Sequence, residues 1–220
     1  MKILAVSDIE LSQLYSASVK ERFSCADLII SCGDLSYSYL EYLISMLNIP
    51  LYFVHGNHAN QVQVTEAGPK RFPDGGFNMD MRVIRHENLL LAGIEGCLQY
   101  NYGPFQYSQA EMWMRAFSLV PRLLLNRLRF GRCLDIFITH APAWKIHDQE
   151  DRPHQGIKAF RWIIQSFQPR YHLHGHIHLY RNDTITETRV GKTTVKNVYG
   201  YTLLNIDPDG SPLSIGNGKG

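Results

Sequence analysis

The sequence is short of cysteine, of net charge and of long apolar runs, and each shortage excludes a class of protein. None of its four cysteines forms a Cys-x-x-Cys pair, which indicates isolated thiols in a reducing compartment rather than a disulfide framework. A formal charge of +2 over 220 residues gives no electrostatic reason to expect a nucleic-acid partner. No stretch approaches the ~18 apolar residues of a membrane span. We therefore expect a cytoplasmic protein with no membrane partner.

Short apolar runs recur along the chain, and each ends at a polar or glycine-containing turn. Continuous runs of this length are typical of strands that are buried on both faces. After residue 178, alternating β-forming residues predict a terminal antiparallel meander. The runs are Ile3–Val6, Leu28–Cys32, Leu51–Val54, Leu89–Ile94, Leu134–Ile138 and Tyr171–His174.

Segments with apolar residues at helical spacing lie between these runs. They cover residues 40–47, 111–125 and 155–167, and Pro121 is expected to separate two helices in the second of them. The alternation of strands and helices predicts an α/β architecture. We expect one domain over residues 1–207, followed by a flexible tail at 208–220 that is rich in Gly, Pro, Ser and Asn.

Asp, Asn and His residues follow five of the apolar runs, at the point where each predicted strand ends. In open α/β sheets, ligands bind beyond the carboxyl ends of the strands, so these side chains are expected to meet. Their oxygen and nitrogen donors suit Mn²⁺, Fe or Zn²⁺, and the absence of cysteine from the set argues against a structural zinc site. The residues are Asp8, Asp34, Asn57, His58, His140, His176 and His178.

The order of these residues resembles the calcineurin-like metallophosphoesterases, whose hallmark is D-x-H … GD … GN-[HD] … H … GH-x-H. Each piece alone is a weak signal, but all five occur in order and the match spans nearly the whole chain. The resemblance implies a four-layer α-β-β-α sandwich, with two mixed sheets flanked by helices. The matching segments are Asp8-Ile9-Glu10, Gly33-Asp34, Gly56-Asn57-His58, Thr139-His140 and Gly175-His176-Ile177-His178.

The resemblance also implies a centre of two divalent metal ions, Mn or Fe in the first place, with Zn or Mg as alternatives. Asp34 would bridge them, a metal-bound hydroxide would attack phosphorus, and His58 would protonate the leaving oxygen. The first ion would be held by Asp8, Glu10, Asp34 and His178. The second would be held by Asp34, Asn57, His140 and His176.

The sequence departs from the family pattern at three positions. Glu10 stands where the family usually has histidine, and a carboxylate there favours Mn²⁺ or Mg²⁺ if it binds metal. The segment Leu35–Ser38 lacks the Asp-Arg pair of the protein phosphatases, which disfavours that branch and favours a phosphodiester substrate. Ala59 follows His58 where an acidic residue is frequent, which would loosen the orientation of that imidazole.

Several histidines admit a structural interpretation beside the functional one. His140 alone could be a satisfied core histidine, and its place at a strand end is what favours metal binding. His172 and His174 are better explained by packing or by support of neighbouring ligands than by metal binding. His154, in a His-x-Gly element, is an open candidate for substrate contact, and His147 is expected at the surface.

Two further segments carry alternative interpretations. The aromatic loop at 99–107 could stack a nucleobase, but packing on the core is the preferred interpretation. The segment 122–132 has four arginines between leucines, and a solvated helix face with its leucines toward the core is favoured over phosphate contact.

The sequence thus predicts a metal-dependent phosphoesterase acting on a phosphodiester or a small phosphomonoester. The rival from another class is a catalytically weak metal-binding or scaffold protein that keeps the fold. A nuclease would need a basic groove to bind nucleic acid, and the small net charge argues against that function. The partner is expected to be a small phosphoester; no pattern predicts the oligomeric state.

Overall fold

A computed structural model describes residues 1–58, 63–65, 68–179 and 185–207. Fifteen strands are assigned over these residues. They are β1 (Lys2–Ser7), β2 (Leu28–Ser31), β3 (Leu51–Phe53), β4 (Gln63–Thr65), β5 (Gly68–Lys70), β6 (Gly76–Asn78), β7 (Arg82–His86), β8 (Leu89–Ile94), β9 (Cys97–Leu98), β10 (Gln106–Tyr107), β11 (Ile136–Thr139), β12 (Tyr171–His174), β13 (Glu187–Val190), β14 (Thr193–Asn197) and β15 (Gly200–Asn205).

Four α-helices accompany the strands in the described part of the chain. A 3₁₀ turn at Arg152–His154 precedes the last of them. No helix among the described residues is long and apolar enough to cross a membrane. The helices are α1 (Val19–Arg22), α2 (Tyr37–Leu47), α3 (Gln109–Phe130) and α4 (Lys158–Phe167).

Two mixed sheets dominate the structure. The five-stranded sheet has the order β15-β1-β2-β3-β6, in which β1, β2, β3 and β6 are parallel and β15 is antiparallel to β1. The six-stranded sheet has the order β13-β14-β12-β11-β8-β7, with antiparallel strands at both edges of a parallel centre. Parallel centres bury both faces, which explains the continuous apolar runs of the sequence.

Three hydrophobic clusters show how the layers stack. Because side chains alternate along a strand, Ile3 of β1 belongs to the cluster between the two sheets, and its neighbour Leu4 packs in the cluster that includes α2 residues. In β11, Ile136 lies between the sheets and Phe137 packs in the cluster that includes α3 and α4 residues. Three successive clusters separate four layers, and the predicted α-β-β-α sandwich is confirmed.

The structure corrects two predictions about individual elements. Pro121 does not separate two helices but lies inside α3, where the proline faces solvent and the carbonyl deprived of its N–H partner can be hydrated. The terminal meander is also wrong, because β15 leaves the β13–β14 hairpin and pairs with β1 in the other sheet. The predicted tail at 208–220 and Ala59 lie outside the described residues.

Candidate metal centre

The predicted site residues follow the carboxyl ends of five parallel strands from both sheets. Asp8 follows β1, Asp34 follows β2 and Asn57 follows β3 in the five-stranded sheet; His140 follows β11 and His176 follows β12 in the other. Because parallel strands end at the same edge, the local motifs of distant segments are brought to one place, as the sequence predicts.

Left-handed backbone conformations turn several of these residues toward the site. Asp8 has a φ of 66°, Asp34 of 55° and His176 of 68°. Such conformations are uncommon for residues other than glycine and cost of order 1 kcal/mol or more each, so they persist where surrounding contacts hold them. The main-chain N–H of His176 supplies such a contact, since it donates to both oxygens of Asp8 at 2.9 and 3.1 Å.

Two glycines permit the close approach of the strand-end segments. A Cβ at Gly56 would lie 2.1 Å from Oδ1 of Asp34, and one at Gly175 would lie 2.0 Å from Oγ of Ser7. Any side chain at either position would therefore push apart the segments that carry Asp34 and Asp8. The absence of a Cβ at these two glycines is therefore what allows the segments to approach.

Four side-chain atoms from four segments converge at the centre of the site. Nε2 of His140 lies 3.1 Å from Oδ2 of Asp34, 3.0 Å from Oδ1 of Asn57 and 3.1 Å from Nδ1 of His176. His140 is fully buried, and Asn57 and His176 are nearly so. Asp34, His140 and His176 form the one group of three His, Cys, Asp or Glu residues with metal-binding spacing among the described residues.

The opposite ring nitrogens show which atoms of the two histidines face the centre. Nδ1 of His140 donates to the carbonyl of Cys32 at 2.8 Å, and Nε2 of His176 donates to the carbonyl of Pro153 at 2.8 Å. A carbonyl only accepts, so the neutral imidazoles present bare nitrogens to each other. Metal-binding histidines are held in this way by a carbonyl on the far side of the ring.

The amide of Asn57 also turns its acceptor atom toward the centre of the site. Its Nδ2 donates to the hydroxyl of Tyr100 at 2.9 Å, which leaves Oδ1 facing His140. When both imidazoles are neutral, two imidazole lone pairs, an amide oxygen and a carboxylate oxygen therefore face one another without an intervening hydrogen. Such a set repels itself unless a cation lies among its members, so these residues fit a divalent metal ion.

The pKa values of Asp34 and His140 also show that the cluster favours a positive charge. Burial alone would raise the pKa of Asp34, but the charge and hydrogen bond of His140 lower it to about 2. Burial alone would lower the pKa of His140, but the carboxylates of Asp34 and Asp8 raise it to about 9. Without metal, a proton on His140 supplies the positive charge, and a metal ion would displace that proton.

The residues predicted to hold the other metal ion are less closely gathered. Nε2 of His178 lies 3.9 Å from Oδ1 of Asp8, and burial raises the pKa of that carboxyl. Glu10 is exposed, and its Oε1 accepts from the main-chain N–H of Ser36 at 3.0 Å, at the N-cap of α2. The structure thus brings Asp8 and His178 together beside the central cluster and places one oxygen of Glu10 on a helix terminus.

His58 and His154 lie at the rim of the cluster. The main-chain N–H of His58 donates to Oδ1 of Asp34 at 2.9 Å, and the exposed residue therefore stays beside the cluster. The ring of His154 lies 5.4 Å from the ring of His176, and its Nδ1 pairs with Asp151 at 2.6 Å.

The two histidines of β12 that precede the last motif bond to residues outside the metal-binding group. Nε2 of His172 bonds to Oγ1 of Thr139 at 2.8 Å, and Nε2 of His174 bonds to Nδ1 of His147 at 2.9 Å. Neither His172 nor His174 belongs to the metal-binding group, in agreement with the packing interpretation. The prediction that His147 lies at the surface is wrong, because its ring bridges His174 and Thr188 and is partly buried.

A buried polar network behind the Gly56–His58 turn was not anticipated. Nδ1 of His55 lies 2.8 Å from Oε2 of Glu95, and the hydroxyl of Tyr107 donates to Oε1 of Glu95 at 2.9 Å. Arg115 stacks over the Tyr107 ring at 3.7 Å and pairs with Asp80 at 2.8 Å. His55 is thereby fixed two residues before Asn57, although forty residues of sequence separate it from Glu95.

Part of the aromatic loop packs on the core, which was the preferred interpretation of its sequence. Tyr100 and Tyr107 pack against the core, and Tyr100 also contacts Asn57, a role that the residue pattern did not reveal. Tyr102 is fully exposed. The sequence also did not reveal that the carbonyls of Cys32 and Pro153 orient His140 and His176, because every residue type has a main-chain carbonyl.

Comparison with known proteins agrees with this geometry. Residues 1–180 match the model of a family described as calcineurin-like phosphoesterase. The chain resembles the crystal structure of TT1561 of Thermus thermophilus, with a TM-score of 0.58 and 14% identity, covering 92% of this chain and 93% of that one. Another solved structure gives a TM-score of 0.62 at 13% identity, covering 92% and 94% of the two chains. Identities this low show the fold alone, and no curated protein sequence matches the chain.

Proposed function

Because the chain belongs to the calcineurin-like phosphoesterase family, we propose that it is a metal-dependent hydrolase of phosphoesters that prefers a phosphodiester to a phosphomonoester. The observation that carries this proposal is the convergence of four lone-pair atoms on one point, from Asp34, Asn57, His140 and His176. Side chains used only for packing would each have a hydrogen-bond partner of their own, whereas here at most one proton, on Nε2 of His140, lies among the four atoms.

We assign these four residues to one divalent metal ion, and Asp8, Glu10 and His178, with Asp34 as the bridge, to a second. The contact between Asp8 and His178 supports the second set. Glu10 is included only because its carboxylate is a suitable metal donor. Carboxylate and imidazole donors without cysteine suit Mn or Fe, with Zn or Mg as alternatives. Bound there, divalent ions polarise a phosphoryl group and lower the pKa of a coordinated water.

His58 is assigned as the general acid. Its main-chain N–H donates to Oδ1 of Asp34, which keeps the residue beside the cluster, and its exposure supports contact of the ring with a leaving group. An imidazole there can give its proton to the departing oxygen. His154, whose ring borders that of His176, is proposed to contact the substrate.

The preference for a diester rests on the segment directly after Asp34. A protein phosphatase would carry a phosphate-binding arginine in this segment, whereas here Ser36 caps α2 through a bond from the N–H of Tyr39 to its Oγ. With no arginine to neutralise a second phosphate charge, a monoanionic diester is favoured over a dianionic monoester. The scaffold alternative is favoured by one observation, the engagement of Glu10 with Ser36.

The cytoplasmic location is also kept as a proposal. The cysteines support it, because all four are unpaired thiols and three of them are buried, as expected in a reducing compartment. A small phosphoester remains the proposed partner.

The test is hydrolysis of an aryl phosphodiester and its monoester by Mn²⁺-loaded protein, together with metal content measured on the same samples. Asp34→Asn is expected to lose both bound metal and turnover, because the bridging carboxylate and its charge are removed. His58→Gln is the matched variant and is expected to keep its metal while kcat falls roughly 10²-fold or more, because general acid catalysis typically contributes that much.

The two readouts separate the hypotheses. Metal binding without turnover in the unmodified protein would support the scaffold alternative. Turnover that survives in Asp34→Asn would show that the assigned centre is not the site of reaction, and a faster monoester reaction would overturn the diester preference.

A further inference from the structure

Helix α3 has two apolar faces, of which only one belongs to the core. Met112, Ala116, Leu119 and Leu123 are buried against the six-stranded sheet. Another apolar set lies on the opposite side in solvent, where Leu128 is 85%, Met114 64% and Phe117 53% exposed. The members of this exposed set, here called the outer stripe, are Met114, Phe117, Leu124, Leu125 and Leu128.

The outer stripe runs along the helix, with the exposed Pro121 on the same face between Phe117 and Leu124. At about 100° per residue its five members fall within an arc of about 100°, and from Met114 to Leu128 the stripe is about 21 Å long. Phe117 also touches Trp162 of α4, with ring centroids 5.3 Å apart, so the stripe joins the outer side of α4. Scattered apolar residues are normal on a surface, but a contiguous patch marks a contact site.

Apart from Glu111, which caps the first turn of α3, the two helices that form this layer carry no acidic residue. The segments 112–134 and 156–172 contain none of the chain's 20 Asp and Glu residues. Arg122 and Arg129 are exposed on α3 and lie along one side of the stripe by helical geometry. The basic residues of the two segments are Arg115, Arg122, Arg127, Arg129, Arg132, Lys158, Arg161 and Arg170.

We propose that the outer stripe and its flanking arginines bind the surface of an anionic lipid bilayer. Leucine, phenylalanine and methionine side chains on one helix face, bordered by arginine, are the pattern of a helix that lies in the membrane interface. Lipid phosphates supply the negative charge that this layer lacks, and acyl chains accept separate apolar side chains without a matching shape. The sequence as a whole predicts no membrane partner, and its small net charge conceals this basic layer because every acidic residue except Glu111 lies outside the two helices.

A second copy of the chain is the competing occupant. Two stripes that packed face to face would bring two sets of exposed arginines together, and Glu111 is the one acidic residue that the two helices of each copy offer against them. The charge of the layer therefore favours the bilayer over self-association. None of the residues assigned to metal binding lies on the stripe, so this proposal stands apart from the proposed hydrolysis.

The test is flotation of the full chain with vesicles of phosphatidylcholine alone or of phosphatidylcholine with phosphatidylglycerol. Binding is expected only to the vesicles with phosphatidylglycerol and is expected to weaken as salt is added. Leu124→Ser/Leu128→Ser should lower the binding constant roughly tenfold or more, because two apolar side chains no longer leave water. Arg122→Glu/Arg129→Glu should lower it at least as much, since each arginine near such a surface contributes roughly fivefold.

Ile185→Ser is the matched control, because Ile185 is 69% exposed and lies outside both helices. It is expected to bind vesicles like the unmodified chain, and the stripe variants are expected to keep the same thermal unfolding temperature and metal content. Equal binding to both kinds of vesicle, or no binding, would overturn the proposal. So would a dimer, detected by light scattering, that dissociates in Leu124→Ser/Leu128→Ser.

Discussion

Glu95 shows how a residue outside the metal cluster helps to shape it. Its two carboxylate oxygens accept from His55 and Tyr107 while the residue stays 6% exposed. Burial raises the pKa of the Tyr107 hydroxyl, and Glu95 raises it further, so the phenol stays protonated and continues to donate. Because Asn57 follows His55 by two residues, fixing His55 also restricts the position of Asn57.

We predict that Tyr107→Phe destabilises the protein by about 1–3 kcal/mol, because a hydrogen bond to a buried carboxylate is removed and nothing replaces it. The free energy of unfolding in urea would measure the loss. Tyr52→Phe is the control, since its hydroxyl bonds to His86 at a less buried place and its loss should matter less. Equal effects of the two substitutions would contradict the role given to Glu95.

At the scale of elements, α3 illustrates how local sequence sets where a helix begins. The main-chain N–H of Glu111 donates to Oγ of Ser108 at 3.2 Å, and the N–H of Ser108 donates to Oε2 of Glu111 at 2.7 Å. This reciprocal capping box satisfies two of the N–H groups that a helix start leaves without partners. At the other end Gly131 takes a left-handed conformation with a φ of 72°.

We expect Ser108→Ala to cost about 1 kcal/mol of stability, the usual effect of removing a helix N-cap. Ser118→Ala is the control within the same helix. Ser118 is exposed and bonds back to the carbonyl of Arg115, so alanine there should be neutral or slightly stabilising. If the thermal unfolding temperature fell equally in the two variants, the N-cap would contribute no more to stability than an exposed serine.

Across the whole molecule, buried histidines link stability to pH. Burial, helped by His147, lowers the pKa of His172 to about 3. Because the hydroxyl of Thr139 donates to the carbonyl of Ala141, it accepts from Nε2 of His172, and Nδ1 is left buried without a partner. The folded protein therefore keeps this ring neutral while the unfolded chain protonates it near its ordinary pKa.

The sign follows from the depressed folded pKa. Between about pH 6.5 and 3 the unfolded state binds one more proton at this residue, so stability falls as pH falls, by about 1.4 kcal/mol per pH unit. His172→Leu is expected to make the dependence of unfolding free energy on pH shallower by that amount in this window. Above pH 7 the two proteins should have parallel profiles, and parallel profiles below pH 6 would refute the assignment.

Much of the fold and the centre of the site could be predicted from residue patterns that are local. Asp8, Asp34, Asn57, His140 and His176 each follow an apolar run, and the rule that parallel strands end at one edge is enough to bring them together. The apolar runs also predict buried strands, because a strand covered on both faces has no polar side. These features needed no knowledge of which segments pack against which.

Other features were decided by tertiary structure alone. The sequence gives no reason to pair His55 with Glu95, or His176 with the carbonyl of Pro153, because such contacts depend on where segments far apart in the chain come to rest. The same holds for the leucines of α3. Leu123 and Leu124 are adjacent and alike, and only the packing of one helix face against a sheet decides that the first is buried and the second meets solvent.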